Sequence, residues 1–222
     1  MTEHASSTTR AARKARLWRM IHAERAALAA DLAGLGEERW ATPSLCEGLS
    51  VRDVLAHLTS GATIGWARWM AGVLKCRFDF DKQVVMRLRE QLGADPEETL
   101  ARFGRAVPST SSPVPLKAML GESIVHGEDI RRPLGLPRTY PVETITLLAE
   151  YYRGSDFVVV AKKRVLDLRL VATDGPFEAG TGPLVSGPTV ALVMAMTGRA
   201  AFCDDLAGDG VPVLRERCAT MG

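Results

Sequence analysis

What this sequence has little of narrows its class first. It lacks any run of the roughly 18–20 apolar residues that a membrane-crossing helix needs. Its longest apolar stretches, near Phe157–Ala161 and Val190–Met196, are much shorter, so no membrane partner is expected. The first sixteen residues are polar and basic with no apolar segment. A secretory signal is therefore not expected, and a cytoplasmic location is. The four cysteines, Cys46, Cys76, Cys203 and Cys218, contain no Cys-x-x-Cys pair. Reduced thiols fit that scatter better than a disulfide framework or a Cys-x-x-Cys zinc site. Charge of either sign is not in excess: 28 Lys and Arg face 26 Asp and Glu, a formal net of +2. A protein devoted to nucleic acid needs a basic surplus, so nucleic acid is not an expected partner. There is no Gly-x-Gly-x-x-Gly, no Gly-x-Ser-x-Gly and no phosphate-binding loop. The four glycines between Gly175 and Gly187 lack dinucleotide spacing and read as turns.

What is present is an ordinary globular composition, with 46% hydrophobic and 24% charged residues over 222 positions. That suffices for a real core. Residues 1–8 are polar and read as a frayed end. Apolar positions recur at three- and four-residue steps from Thr9 to Leu35, predicting a first helix closed by Gly34 and Gly36. Ser50 and Asp53 resemble a capping box and open a second helix that can run to Met70. Shorter helices are expected at Gln83–Gln91 and Pro96–Gly104. A longer one runs from Pro115 to Arg132, stopped by Pro133 and Gly135. Another spans Val142 to Lys163, with Gly154 as a weak point. After Arg164 the period changes: Leu166, Leu168 and Leu170 alternate with Asp167 and Arg169, a half-buried strand. Phe177–Ala179 and Pro183–Ser186 suit further short strands, and Pro188–Thr197 an apolar helix. The expected fold class is α+β and mainly helical, with a helical bundle over residues 1–163 and a small α+β unit over 164–222.

Histidine is scarce, four in all. His4 lies in the tail, and His22 falls beside Arg25 on a helix face expected to meet solvent. Glu122 and His126 stand four apart, one turn above the other on a helical face shared with Met119 and Ile130. Burying a carboxylate costs several kcal/mol unless a partner offsets it, and a divalent metal is one such partner. The pair alone fits a mutual hydrogen bond or a solvated groove better, because Glu-x-x-x-His recurs by chance. His57 shares its face with Val54, Gly61 and Ile64 and also points inward. A lone histidine there is more often a hydrogen-bonded core residue. Two histidines and one glutamate nevertheless form a three-ligand set that leaves coordination positions open, the pattern of a catalytic zinc site. Cys46 lies in the loop leading to the His57 helix; it could border such a site, but a small buried apolar role is the better reading. The basic run Arg10–Arg19 reads as a solvated helix face.

The stretch Trp40-Ala-Thr-Pro-Ser-Leu-Cys-Glu-Gly-Leu-Ser-Val-Arg-Asp-Val-Leu-Ala-His57-Leu resembles the N-terminal signature of the mycothiol-dependent maleylpyruvate isomerase family, within the DinB-like four-helix-bundle superfamily. Gly121-Glu122-Ser-Ile-Val-His126-Gly-Glu-Asp-Ile-Arg-Arg-Pro-Leu-Gly resembles its second signature. Leu168-Arg-Leu-Val-Ala-Thr-Asp, Gly182-Pro-Leu-Val-Ser-Gly-Pro and Met196-Thr-Gly-Arg-Ala are similar to the sterol-carrier-like C-terminal domain of many members. The resemblance spans residues 15 to 218. It implies a DinB-like bundle and metal ligands at His57, Glu122 and His126. Two positions depart from the pattern: Leu49 replaces a larger aromatic, and Gln83 stands where relatives carry an asparagine. Both are expected on the substrate side.

The resemblance implies an enzyme with a divalent metal, zinc first, and mycothiol as a low-molecular-weight thiol. Its expected reaction is isomerisation or S-transfer on a small electrophilic substrate, in a monomer or homodimer. Arg131 or Arg132 could orient an anionic substrate, although capping of the helix end explains them better. Two rival readings are a metal-dependent hydrolase on the same three residues and a non-catalytic binding protein for an apolar ligand.

Overall fold

The structure is a computed structural model that describes residues 2–221, with side chains described from Arg10 onward except at positions 80 and 81. The fold is mainly helical α+β. It divides into two compact units, residues 1–137 and 138–222.

The first unit is built from α1 (Thr2–Leu32), α2 (Val51–Thr63), α3 (Trp66–Lys75), α4 (Phe80–Gln91), α5 (Pro96–Ala106) and α6 (Leu116–Leu134). A 3₁₀ turn at Glu37–Ala41 joins α1 to the loop before α2. α1 packs on α5 and α6, and α2 packs on α4, α5 and α6. Leu28 and Leu32 of α1, Val51, Val54, Leu55 and Leu58 of α2, Phe103 of α5, and Ile130 and Leu134 of α6 close a core around Trp40. Helices α1, α2, α5 and α6 each supply apolar residues to this core, and such packing, more than propensity, holds short helices in place. Among the described residues no helix is long and apolar enough to cross a membrane.

Several boundaries differ from the sequence reading for identifiable reasons. α1 already begins at Thr2, where a frayed end is expected; Met1 and the side chains through residue 9, His4 included, lie outside the described residues. The single helix expected from Ser50 to Met70 is two helices, parted at an extended Ile64 and Gly65. Gly61, Thr63 and Gly65 are weak helix formers concentrated in one turn. α6 passes through Pro133 and ends at Gly135, whose φ of 64° takes the left-handed conformation open to glycine. There Gly135 N–H donates to Arg132 O and Leu136 N–H to Arg131 O, satisfying the last carbonyls.

The start of α2 is as expected. Ser50 Oγ accepts from Asp53 N–H and Asp53 Oδ2 accepts from Ser50 N–H, a complete capping box. It sets the phase of the helix that carries His57. Ser50→Ala should cost about 1 kcal/mol, the usual value for an N-cap, read as a lowered midpoint in chemical denaturation.

The second unit contains α7 (Val142–Gly154), β1 (Arg169–Ala172), β2 (Glu178–Ala179), β3 (Leu184–Gly187), α8 (Thr189–Met196) and α9 (Val211–Thr220), with a 3₁₀ turn at Ala200–Asp205. β1 is central, antiparallel to β2 and parallel to β3, with Leu170 opposite both Ala179 and Val185. α8 is apolar on all sides and its residues from Ala191 to Met196 are buried, which makes it the core of this unit. α7 packs on α8. The packing boundary therefore falls at 137/138, earlier than the change of hydrophobic period near 164. α7 stops at Gly154, the weak point, and irregular chain leads from there to β1. The strand is also shorter than the alternation suggests: Leu168 and Leu170 are buried, whereas Leu166 is 58% exposed and Asp167 has a φ of 59°. A left-handed residue there ends the extended run.

Candidate metal centre

His57 lies two turns into α2, and Glu122 and His126 lie one turn apart in α6. Packing of α2 against α6 brings the three together. Glu122 Oε2 is 3.5 Å from His57 Nε2 and 3.4 Å from His126 Nε2. The two imidazoles meet edge to face with centroids 4.9 Å apart. One donor atom from each residue lies within 4.8 Å of the others. Two imidazole nitrogens and a carboxylate oxygen at this spacing are the donors that a divalent ion such as zinc takes, and three protein ligands leave room for another.

The side chains are less enclosed than their apolar neighbours in sequence suggest. His57, Glu122 and His126 keep 22%, 32% and 17% of their side-chain surface. The three side chains are half-buried, not sealed in the core.

Electrostatics bind the three together. Desolvation alone would raise the Glu122 carboxyl, but hydrogen bonds from His126 and His57 and their charge outweigh it and hold it well below the usual carboxylate range. For His126, desolvation favours the neutral ring. Hydrogen bonds to Asp129, Cys46 and Glu122 overcome it and raise the ring well above the usual histidine value. A group of this kind holds a proton that an ion must displace.

A second layer was not read from the sequence. Asp129, fully buried, places Oδ2 at 2.9 Å from His126 Nδ1. Cys46 Sγ donates to the same oxygen at 3.1 Å and lies 3.5 Å from His126 Nδ1. Cys46, His126 and Asp129 also have ligand-type atoms within 4.8 Å of one another. The two groups use opposite nitrogens of His126, however. Asp129 takes Nδ1 and leaves Nε2 toward Glu122, which is how a supporting carboxylate orients a ligating histidine. The signal was available in His126-x-x-Asp129, one helical turn apart.

Other candidates fall elsewhere. Leu49 packs against the bundle core. Gln83 is buried, and its amide donates to Trp69 O, tying α4 to α3. Arg131 is buried, and its Nε donates to Asp31 Oδ2 at 2.7 Å, so it joins α6 to α1 instead of greeting a substrate. His22, expected in solvent, is half-buried, 3.0 Å from Ser109 O and stacked on Trp18.

Residues 21–114 match the Mycothiol maleylpyruvate isomerase N-terminal domain family. The matched span includes α2 and His57 and ends just before α6. Among solved structures, a mycothiol-dependent maleylpyruvate isomerase has a TM-score of 0.54 at 16% identity, with 88% of this chain and 92% of that chain covered. A histidine-to-alanine mutant of a mycothiol-dependent maleylpyruvate isomerase gives 0.55 at 15% identity over the same shares. Among curated proteins there is no significant match. Residues 21–114 thus resemble the mycothiol maleylpyruvate isomerase N-terminal domain family, and the chain shares the fold of the two isomerase structures.

Proposed function

We propose that the protein is a divalent-metal enzyme, with zinc as the ion best suited to its donors, that uses mycothiol for isomerisation or S-transfer on a small electrophile. The observation that carries this reading is the convergence of His57, Glu122 and His126, each half-buried, within the reach of one ion. The structural neighbours' own dependence on mycothiol supports the choice of thiol. A divalent ion held there supplies a Lewis acid, which lowers the pKa of a thiol beside it.

The chain's residues do the remaining work. Glu122 brings the one negative charge of the ligand set and is kept ionised by its two histidines. His126 Nε2 and Glu122 Oε2, 3.4 Å apart, form the contact that an incoming divalent ion would have to open. The exposed part of the three side chains is the face on which a thiol and a substrate would approach. Addition of the thiolate sulfur to an electrophilic carbon pushes the π electrons onto the conjugated acceptor; rotation about the new single bond and expulsion of the thiolate complete an isomerisation, and return of the thiol's proton to the adduct completes an S-transfer.

Isothermal titration with mycothiol tests the reading. The zinc-loaded protein should bind the thiol, and the same protein stripped by a chelator should not. Equal affinity in both forms removes the metal from thiol binding. No binding by the zinc-loaded form overturns the mycothiol assignment.

A further inference from the structure

The loop before α2 is fastened to the metal centre by an unusual feature of α6. An α-helical N–H donates to the carbonyl four residues earlier. Proline has no N–H, so Pro133 leaves the carbonyl of Asp129 without its helical donor. Leu45 N–H takes that place at 3.1 Å. The next residue, Cys46, donates its thiol to Asp129 Oδ2 at 3.1 Å. Consecutive residues of one loop thus seize both the backbone and the side chain of Asp129. The loop is itself stiff: Ser44 N–H donates to Leu49 O at 2.9 Å, Ser44 Oγ accepts from Cys46 N–H at 3.1 Å, and Gly48 turns the chain with a φ of 72°.

Asp129 then acts on His126. A carboxylate only accepts, so the short contact at 2.9 Å places a proton on Nδ1 and presents Nε2 to Glu122 and His57. Cys46 Sγ donates to the same carboxylate oxygen, beside the ring nitrogen at 3.5 Å, and holds that oxygen in the orientation the ring requires.

We infer that Pro133, Leu45 and Cys46 form a latch on Asp129 that presents His126 Nε2 to the metal, and that Cys46 is a positioning residue of the metal centre. This rests on the metal reading proposed above. It assigns work to the thiol that packing does not require, although Cys46 also lies against the bundle core.

The two roles make opposite demands. A packing role favours Ala over Ser at position 46, because a hydroxyl against apolar neighbours costs stability and a methyl group does not. A positioning role favours Ser, whose hydroxyl donates to Asp129 as the thiol does. Zinc affinity of the full chain, measured by competition with a chromophoric chelator, is compared in wild type, Cys46→Ser, Cys46→Ala and Asp129→Asn. Loss of a partner that supports a ligating histidine costs about 10–100-fold in affinity. Cys46→Ala and Asp129→Asn should fall in that range, and Cys46→Ser should keep most of the wild-type affinity. Melting of the zinc-free variants, run alongside, separates loss of fold from loss of positioning. Affinity in Cys46→Ala equal to or above that of Cys46→Ser overturns the proposal. Failure of wild type to bind zinc sinks the metal reading, and the latch then stands on a second measurement. In the zinc-free chain the Leu45 amide should exchange slowly with solvent, and it should exchange faster in Pro133→Ala, where a restored helical N–H competes for Asp129 O. Rapid exchange in wild type overturns the latch itself.

Discussion

Zinc retention is expected to fall by well over about 100-fold in His57→Ala and in His126→Ala, more than the 10–100-fold that a lost supporting partner costs. Each substitution removes one of the three donor atoms that lie within 4.8 Å of one another. A two-donor remnant cannot hold the ion against solvent. Helix content should not change, because neither ring belongs to the apolar cluster that closes the bundle. The removed surface is partly exposed already, 22% for His57 and 17% for His126, so little burial is forfeited. Metal analysis of dialysed protein together with far-ultraviolet circular dichroism separates the two effects. Retention of a full equivalent of zinc by either variant would mean that the ion sits elsewhere. Collapse of the helical signal would mean that the histidines serve the fold.

The opposite pattern is expected for Phe103→Ala. Phe103, on α5, is 0% exposed and packs in the cluster that holds Leu55, Leu58 and Ile130. Truncating a buried phenylalanine removes its transfer free energy and leaves a cavity, about 3–5 kcal/mol in all. That is a large share of the roughly 5–15 kcal/mol typical of a whole domain. Denaturant titration should show the midpoint of the first unit shifting strongly to lower concentration. Zinc affinity at temperatures where the variant remains folded should stay near the wild-type value, because Phe103 supplies none of the three donor atoms. A change below about 1 kcal/mol would show that the surrounding side chains collapse into the space.

The readability of the chain differed between its levels. Helix α2 was recognisable from its capping box and its apolar spacing, and both are present. The apolar pattern carries α7 on to Lys163 with Gly154 only as a weak point, whereas the helix ends at that glycine, and its packing partner was not legible at all. Val142–Gly154 has an apolar stripe that would suit the bundle equally well, and it packs on α8. Periodicity states that a face must be buried and says nothing about what buries it. Pro133 carries the same lesson in the backbone. Its local chemistry argues for a helix stop, and the helix continues because another segment's N–H satisfies the carbonyl that the proline abandons.

His57, Glu122 and His126 could be singled out from the linear order alone, because a carboxylate and two imidazoles on otherwise apolar helical faces are costly without a partner. Asp129 escaped notice among the charged residues near the end of α6, although it stands one turn from His126. Cys46 was better explained as a small apolar residue, and nothing in its neighbours along the chain says otherwise. Helical phase and apolar pattern act within a few turns of chain, so the order of residues by itself indicated where most helices lie, which faces are apolar, and the three candidate ligands. Contact between Cys46 and Asp129 spans 83 positions. Such contacts depend on how one helix rotates and slides against another, and that is set by the packing of the whole core. Only the tertiary structure decided that the three donors meet, that they meet half-buried instead of sealed in the core, and that a loop and a proline hold one of them in place.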